Sequence, residues 1–467
     1  MSKGKTSYLK IIKSAINGEE FDFTKINLRK AIVLLSIPMM LELCLESVFA
    51  VVDIFFVNKL GKHAVSTVGL TESVITIVYS IGIGMSAAAT ALVARRVGEK
   101  QIEEASKAGA QAITIAIVIS LLIGILGFAF AEDILRIMGA EPEAIKMGTA
   151  YCQIMIGGNV SIILIFLING IFRGAGNAAI AMKSLWIGNI FNIILDPLLI
   201  FGIGSFEGFG VTGAAISTTV GRSIGVLYQI YHLKNQTGVL KIQSKHFIPD
   251  FKLIKSLFEI ALPATFQFII ASASWIFLAA MVATYGSEAS AGYQTAIRLI
   301  MFFILPAWGM SNAVATLVGQ NLGAGLPERA EKSVYLTAKY NAIFMLLITS
   351  VFFLFAEPLV GVFIPETETN QMKYAILSLQ IISSGYLFYG IGMVANQAFN
   401  GAGDTTTPTW LYFIGFWLFQ VPLAYLLHTQ TSLGVVGIFI AIPIAETLMA
   451  IAAFALFAKG KWKQVKI

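Results

Sequence analysis

The sequence predicts an all-α polytopic membrane protein: twelve transmembrane helices in two pseudo-symmetric six-helix bundles, a 6+6 parallel repeat. Three observations carry that prediction. Of 467 residues, 57% are hydrophobic and only 12% charged, against roughly a quarter charged in soluble globular chains, and mean hydropathy is +0.79. Apolar stretches of roughly 20 residues, enough for a helix to cross the hydrocarbon core, recur along the whole chain. The second half of the chain also echoes the first. Together these exclude disorder, a soluble enzyme and a nucleic-acid binder. The two cysteines, Cys44 and Cys152, both lie inside apolar stretches and form no disulfide framework.

Residues 1–27 are polar and form a cytoplasmic N-terminal segment. A faint amphipathic pattern from Tyr8 to Ile16 predicts a helix at the membrane interface. The segment lacks the apolar core of a cleaved signal peptide. The first bundle, 28–233, contains spans at 28–58, 64–95, 104–130, 143–172, 179–202 and 211–233. Residues 234–252, with Pro249 and four lysines, form a cytoplasmic linker. The second bundle, 253–467, contains spans at 253–285, 289–319, 330–356, 371–399, 407–428 and 435–458. Backbone groups in lipid must be satisfied internally, which leaves helices or a closed barrel. The alternating ten-residue strands of a barrel are absent.

Orientation follows from Lys and Arg. With the N-terminus inside, most of the 32 basic residues fall on cytoplasmic segments: Lys3 to Lys30, Arg95, Arg96, Lys100, Lys107, Lys234 to Lys255 and Lys459 to Lys466. The outer loops are acidic, with Glu132, Asp133, Glu141, Glu143, Glu357, Glu366 and Glu368. The net charge of +6 is therefore topological.

An offset of 225 residues aligns Leu28 with Leu253, Pro38 with Pro263, Gly61 with Gly286, Gly84 with Gly309, Gly98 with Gly323 and Pro197 with Pro422. A two-residue drift aligns Phe172-Arg-Gly-Ala-Gly-Asn with Phe399-Asn-Gly-Ala-Gly-Asp. An even number of spans per half gives both halves the same orientation, the parallel-repeat arrangement of secondary transporters. Two such bundles facing one another make a cleft able to open to either side.

Ionisable groups within spans are costly and mark function by default. Glu42, Glu46 and Asp53 on the first span fall within about 40° of one another at 100° per residue. Pro38 lies below them, where a missing backbone hydrogen bond makes a bend cheap. On the fifth span, Asn189, Asn192 and Asp196 share a face within about 60°. Asp196 sits in the outer half, at a depth like that of Asp53. Two carboxylates converging in low dielectric cannot both stay cheaply charged: one takes a proton or they share a cation. Proton- or sodium-coupled antiport requires that. The alternative is that each acid pairs with Arg222 or caps a broken helix.

The sixth span adds Ser217, Thr218, Thr219 and Arg222. A hydroxyl can complete an oxygen cage for sodium, or bond back to its own helix. Arg222 is the natural counter-charge for Glu46 or Glu42. In the second half, Arg298 and Glu446 are the charges expected to be buried, as a structural pair. No phosphate-binding Gly-x-x-x-x-Gly-Lys-Ser/Thr or His-Glu-x-x-His occurs. Gly174-Ala-Gly176-Asn follows a membrane helix rather than a strand, and reads as a tight cytoplasmic turn.

In order along the chain, these features resemble the multidrug and toxic compound extrusion (MATE) family, in its DinF-like, archaeal branch. The resemblance rests on the Pro38…Asp53 spacing followed by Gly61, and on Phe172-Arg173-Gly174-Ala175-Gly176-Asn177. It rests also on Asn192…Asp196-Pro197, on Gly210-Val-Thr-Gly-Ala-Ala-Ile-Ser-Thr218, and on Gly319-Gln-Asn-Leu-Gly-Ala-Gly…Arg329-Ala330. It implies two six-helix lobes around a V-shaped cavity. It further implies a cation site on Asp53, Asn192, Asp196 and Thr218, able to take a proton or Na+, with Tyr151 nearby and a bending Pro38. Tyr151 and Asn169 share one face of the fourth span roughly 27 Å apart, so Asn169 belongs deeper in the drug cavity. The NorM-like branch, with acids on the seventh and tenth helices, matches less well: those helices offer Gln267 and Asn396 or Gln397.

The expected protein is thus a secondary active efflux transporter in the plasma membrane, with both termini cytoplasmic. It would antiport organic, often cationic, compounds against H+ or Na+ by alternating access. Substrate contacts would come from Glu42, Glu46, Asn169, Asn189 and Arg222. It is expected to be a monomer in the lipid bilayer, with a small-molecule substrate, no cofactor, no nucleic-acid partner and no enzymatic activity. The rival is a flippase for lipid-linked sugars from the same superfamily. That reading calls for a basic cavity, whereas the cavity charges here are mainly acidic. An intramembrane enzyme would need a nucleophile–base or metal set, and none is visible.

Overall fold

The computed structural model describes residues 8–235, 238–365 and 367–467; Lys3 and Glu366 lie outside them. Helix α1 (Tyr8–Asn17) precedes the first half, which holds α2 (Leu28–Asn58), α3 (Lys62–Gly98), α4 (Ile102–Ala129), α5 (Ala131–Ile137), α6 (Pro142–Gly157), α7 (Asn159–Gly174), α8 (Ala178–Phe201) and α9 (Val211–Lys234). The second half holds α10 (Phe251–Ala283), α11 (Ser287–Gly323), α12 (Pro327–Leu354), α13 (Ala356–Gly361), α14 (Thr369–Ser383) and α15 (Tyr386–Ala402). It closes with α16 (Thr406–Tyr412), α17 (Val421–Gln430) and α18 (Val435–Ala458). Among the described residues, nine helical stretches are long and apolar enough to cross a membrane, or ten if α14 and α15 form one bent span. Helices α2 and α9 occupy the places of the first and sixth expected spans.

The repeat is visible element by element. Helices α3 and α11 both have 37 residues, α4 and α12 both 28, and α9 and α18 both 24. The turns entering them match as well. Gly61 and Gly286 precede α3 and α11 at φ 94° and 98°. Gly210 and Gly434 precede α9 and α18 at φ 57° and 56°. Backbone at such positive φ favours a residue without a Cβ. Polar caps start other helices: Asn177 accepts from the Ile180 amide to open α8, and Asp250 from those of Lys252 and Leu253 to open α10.

Three expected continuous spans depart from regular α-helix. The span at 143–172 breaks at Gly158, between α6 and α7. The span at 371–399 bends by 54° between α14 and α15. The span at 407–428 is π-helical over Phe413–Gln420. Helices α5 and α13 lie in segments read as acidic loops. Two-residue strands β1 (Gly202–Ile203) and β2 (Phe206–Glu207) pair antiparallel between α8 and α9, with Gly202 opposite Glu207. Helix α2 continues unbroken through Pro38.

One core surrounds Leu92, Ile163 and Leu185 of the first half and takes in Leu257, Ile260 and Ala261 of α10, and a second surrounds Tyr293, Phe352 and Phe439 within the second half. Helices α4 and α12 expose apolar side chains such as Leu122, Ile125, Leu347 and Phe353, surface that lipid rather than water would cover. The linker is tied onto α4. Gln111 donates to the His246 and Ile248 carbonyls at 2.6 and 2.8 Å, and Lys107 pairs with Asp250 at 2.7 Å.

The halves approach most closely toward the end that carries the linker. A Cβ on Gly84 of α3 would lie 2.7 Å from the Ala261 carbonyl oxygen of α10. One on Gly309 of α11 would lie 2.6 Å from the Met39 carbonyl oxygen of α2. Nearer that end, Thr316 donates to the Arg173 carbonyl at 3.0 Å, Gln320 to that of Gly174 at 2.9 Å, and Arg95 to that of Ala402 at 3.2 Å. At the opposite end, Gly61, Gly69 and Gly286 have nothing within 4 Å of where a Cβ would stand.

Candidate cation and substrate site

Helix α2 carries a ladder of three acids through the first lobe, each met by different helices. At the lowest rung, nearest the linker end, Glu42 Oε1 accepts from Asn169 at 3.1 Å and from Arg173 at 3.3 Å. Asn169 in turn accepts from Ser184 at 3.0 Å and Gln229 at 2.6 Å. Glu42 and Asn169 are buried, so this rung is a closed network rather than an open surface.

On the middle rung, Glu46 accepts from Asn189 at 3.0 Å and from Arg222 at 3.1 Å. The same guanidinium nitrogen also donates to the Tyr79 hydroxyl at 2.9 Å. The guanidinium carbon lies 5.4 to 6.0 Å from the ring centroids of Tyr79, Phe49 and Phe166. A cation enclosed by rings and one carboxylate in this way keeps its charge without water.

The uppermost rung is different: among the described residues its acids make no ion pair, although Arg222 lies within electrostatic range of Asp53. Asn192 on α8 donates to Ser217 at 2.8 Å, to Thr218 at 3.1 Å and to Asp196 at 3.5 Å, and Ser217 donates to Asp196. Asp53 stands within electrostatic range of Asp196, and Tyr151 within range of both. Among the described residues, three buried acceptor oxygens here find no donor: Asp53 Oδ1, Asp196 Oδ2 and Asn192 Oδ1. Buried acceptors without donors are rare and costly. Oxygens so arranged suit a proton or a hard monovalent cation.

The family model for MatE matches residues 38–198 and 263–426, one block in each half. The chain belongs to the MatE family. Its relatives include the probable multidrug resistance protein YoeA of Bacillus subtilis, 24% identical over 442 residues and covering 94% of this chain and 95% of the relative. The probable multidrug resistance protein NorM of Thermotoga maritima is 25% identical, with 94% of each chain covered. The multidrug export protein MepA of Staphylococcus aureus is 26% identical, with 92% and 94% covered. Among solved structures, a MATE protein in complex with MaL6 superposes with a TM-score of 0.90 at 26% identity, over 95% of this chain and 99% of that one. An outward-facing multidrug resistance MATE transporter gives 0.89 at 26%, over 95% and 98%.

The MATE lobe of the first half therefore brings together Asp53, Asn192, Asp196, Thr218 and Tyr151 at one level, Glu46, Asn189 and Arg222 at a second, and Glu42 with Asn169 at a third. Pro38 lies below all three on α2. Sequence reading missed three participants, Arg173, Tyr79 and Glu72, and named Ser217 only among the hydroxyls of the sixth span. Arg173, named only within the Phe172–Asn177 motif, pairs with Glu42. Ser217, one of three hydroxyls offered, is the one bonded to Asp196. Tyr79 shares Arg222. Glu72, on α3, is exposed and stands within electrostatic range of Asp53, Arg222 and Glu46; as an acid inside a span it carried its own signal. One expectation is corrected. Arg298 is exposed and makes no ion pair among the described residues, while Glu446 is buried. The two do not pair.

On α10 and α15 themselves the polar side chains at the expected positions are neutral. Gln267 donates to Asn400 at 3.2 Å and to the Thr405 carbonyl at 2.8 Å, Asn396 to Tyr412 at 3.3 Å, and Gln397 to Asn312 at 2.8 Å.

Proposed function

We propose that this protein is a secondary active multidrug exporter of twelve spans, driving organic cations outward against an inward flow of H+ or Na+. The coupling cation binds between Asp53 and Asp196, with Asn192, Thr218 and Tyr151 around it. The observation that carries this reading is the cluster of three buried, donor-free oxygens in a family of multidrug transporters. When the cation enters from outside, the two carboxylates no longer repel, and α2 can bend at Pro38, where the helix lacks a backbone hydrogen bond. That bend narrows the first-lobe cavity and expels substrate. Departure of the cation toward the cytoplasm restores the straight helix.

Glu42 and Glu46 are set aside from coupling because Arg173 and Arg222 already neutralise them. Coupling through the second lobe is not required, since Gln267, Asn396 and Gln397 carry no charge. This matches the DinF-like pattern. The protein works as a monomer in the plasma membrane, with linker and termini in the cytoplasm. The acidic uppermost rung favours cation export over the flipping of anionic lipid-linked sugars.

The test is ethidium efflux in everted vesicles with sodium and pH gradients imposed separately. One gradient is expected to drive wild-type efflux, and Asp53→Asn or Asp196→Asn to abolish the response to it. Wild-type coupled efflux in both variants would overturn the assignment.

A further inference from the structure

The middle rung fixes the relative height of three helices. Arg222 joins Glu46 of α2 to Tyr79 of α3 at 3.1 and 2.9 Å, and Asn189 of α8 donates to Glu46 at 3.0 Å. Counting seven residues outward from Glu46 reaches Asp53, from Asn189 reaches Asp196, and from Tyr79 reaches Glu72. Seven residues are close to two turns. Each acid therefore lies about 10 Å above its reference residue and within about 20° of the same helix face. The uppermost rung thus has a third carboxylate, supplied by α3, which runs in the opposite direction to α2 and α8.

The three acids are graded in burial. Asp196 is fully buried, Asp53 is half-buried and Glu72 is exposed. Asp53 and Glu46 of α2, Arg222 of α9, Tyr79 of α3 and Tyr151 of α6 all lie within electrostatic range of Glu72. Glu72 therefore looks toward the site, and the solvent that reaches it lies in the cleft. One turn further out on α3, Gly69 has nothing within 4 Å of where a Cβ would stand, so this wall is open. Among the described residues Glu72 makes no ion pair, and only its backbone carbonyl accepts a hydrogen bond, from Thr76 at 2.9 Å. Arg222, the cation in range, is bonded to Glu46. No three acids among the described residues are placed to hold one metal ion, so Glu72 stands in front of the pair rather than in one shell with it. Behind it, Asp53 Oδ1, Asp196 Oδ2 and Asn192 Oδ1 are the buried acceptors without donors.

We infer that Glu72 is the outer port of the coupling site, the carboxylate that captures a monovalent cation from the open cleft and passes it to Asp53 and then to Asp196. An exposed, uncompensated charge on a cleft wall raises the local concentration of counter-ions and speeds their capture. For a proton, hydronium in the cleft gives it to the Glu72 carboxylate, and Glu72 regains its charge as the proton moves on to Asp53. The inference deepens the coupling reading of Asp53 and Asp196 and rests on it for what the cation does next. Capture itself is measurable without transport.

The probes are Na+ and H+, each added separately to the purified full-length protein. Calorimetry follows Na+, and stopped-flow tryptophan fluorescence follows both ions. Trp186 of α8 donates to the Leu41 carbonyl of α2 at 3.1 Å and so reports on two helices of the site. Asp53→Asn/Asp196→Asn should abolish the response to the coupling cation. Glu72→Gln is expected to weaken affinity for that cation about fivefold, mainly through slower association, and the difference should shrink as KCl raises the ionic strength. Glu72→Asp should keep most of the affinity. In a Cys44→Ser/Cys152→Ser background, Glu72→Cys should regain affinity when it carries an anionic sulfonate label and not when it carries a cationic trimethylammonium label. A glutamate with a merely structural role would not answer to the sign of the label. Elution volume and thermal midpoint report folding of each variant. Wild-type affinity in folded Glu72→Gln, equal affinity with both labels, or no cation response in the wild type overturns the port. Cation binding that depends on Glu72, in a protein whose vesicles export no ethidium, would leave the port standing and sink the export reading instead.

Discussion

Arg222 is enclosed by Phe49, Tyr79 and Phe166 and neutralised by Glu46, so its charge depends on one carboxylate. Removing one partner of such a pair strands the other in a dry environment, at a cost of about 3–5 kcal/mol, whereas removing both costs much less. Arg222→Met is therefore expected to lower the thermal midpoint sharply, and the double variant Arg222→Met/Glu46→Gln to recover most of the loss. A differential scanning fluorimetry series on the purified variants checks this; a double variant no more stable than Arg222→Met would contradict it. At this scale the acid stripe of α2 was legible, because helical periodicity is local. The partners of those acids were not. Arg173 meets Glu42 across two helices, and nothing near either residue in sequence announces the other. Arg298 misled for a related reason: a charge in an apolar run shows that burial is costly, not that it occurs.

The N-terminal segment is held to the first lobe by few bonds, and one of them titrates. Asp22 accepts from the Thr24 amide at 3.1 Å and from Lys100 at 3.0 Å. Burial works against its charge, but hydrogen bonds from the Thr24 side chain and from Lys100 outweigh it and pull its pKa from 3.8 to about 2. A carboxylate whose folded pKa is depressed adds stability that is complete above the unfolded value and fades as pH falls toward the folded one. Residues 18–27 are expected to stay docked above pH 3.8 and to loosen as pH falls toward about 2. Pepsin cleavage within 18–27, followed across that range, checks it: Asp22→Asn should remove the pH step, and a step of the same size in that variant would refute it. Among elements, the long helices and the tight turn at Gly174–Asn177 follow from apolar length and glycine placement. The break at Gly158, the bend after Ser383 and the π-helical Phe413–Gln420 do not. Each lies inside an apolar run whose composition continues unchanged, and tertiary packing sets the irregularity.

Across the whole molecule, the halves are locked where Gly84 meets α10 and Gly309 meets α2. A side chain at Gly309 has no room, since its Cβ would face the Met39 backbone. Gly309→Val should wedge the linker end apart and bring the opposite ends together, as rocking of two rigid lobes requires. Spin labels at Lys59→Cys and Thr284→Cys, in a Cys44→Ser/Cys152→Ser background, would report this. Shorter label separations are expected on adding Gly309→Val, and an unchanged distribution in folded protein would contradict it. The two-fold repeat was readable from one offset in the sequence. Which end is closed was not, because both closures use the same residues and differ only in which contacts form.

The central claim is that Asp53 and Asp196 hold the cation whose movement powers export. Its most direct test is ethidium transport in proteoliposomes of purified protein, with and without an imposed H+ or Na+ gradient. In the wild type one gradient should drive ethidium uphill, and that ion should move in the opposite direction. Asp53→Asn/Asp196→Asn should still let ethidium equilibrate down its own gradient while gaining nothing from the ion. Uphill transport by the double variant, driven by the same ion, would contradict the account.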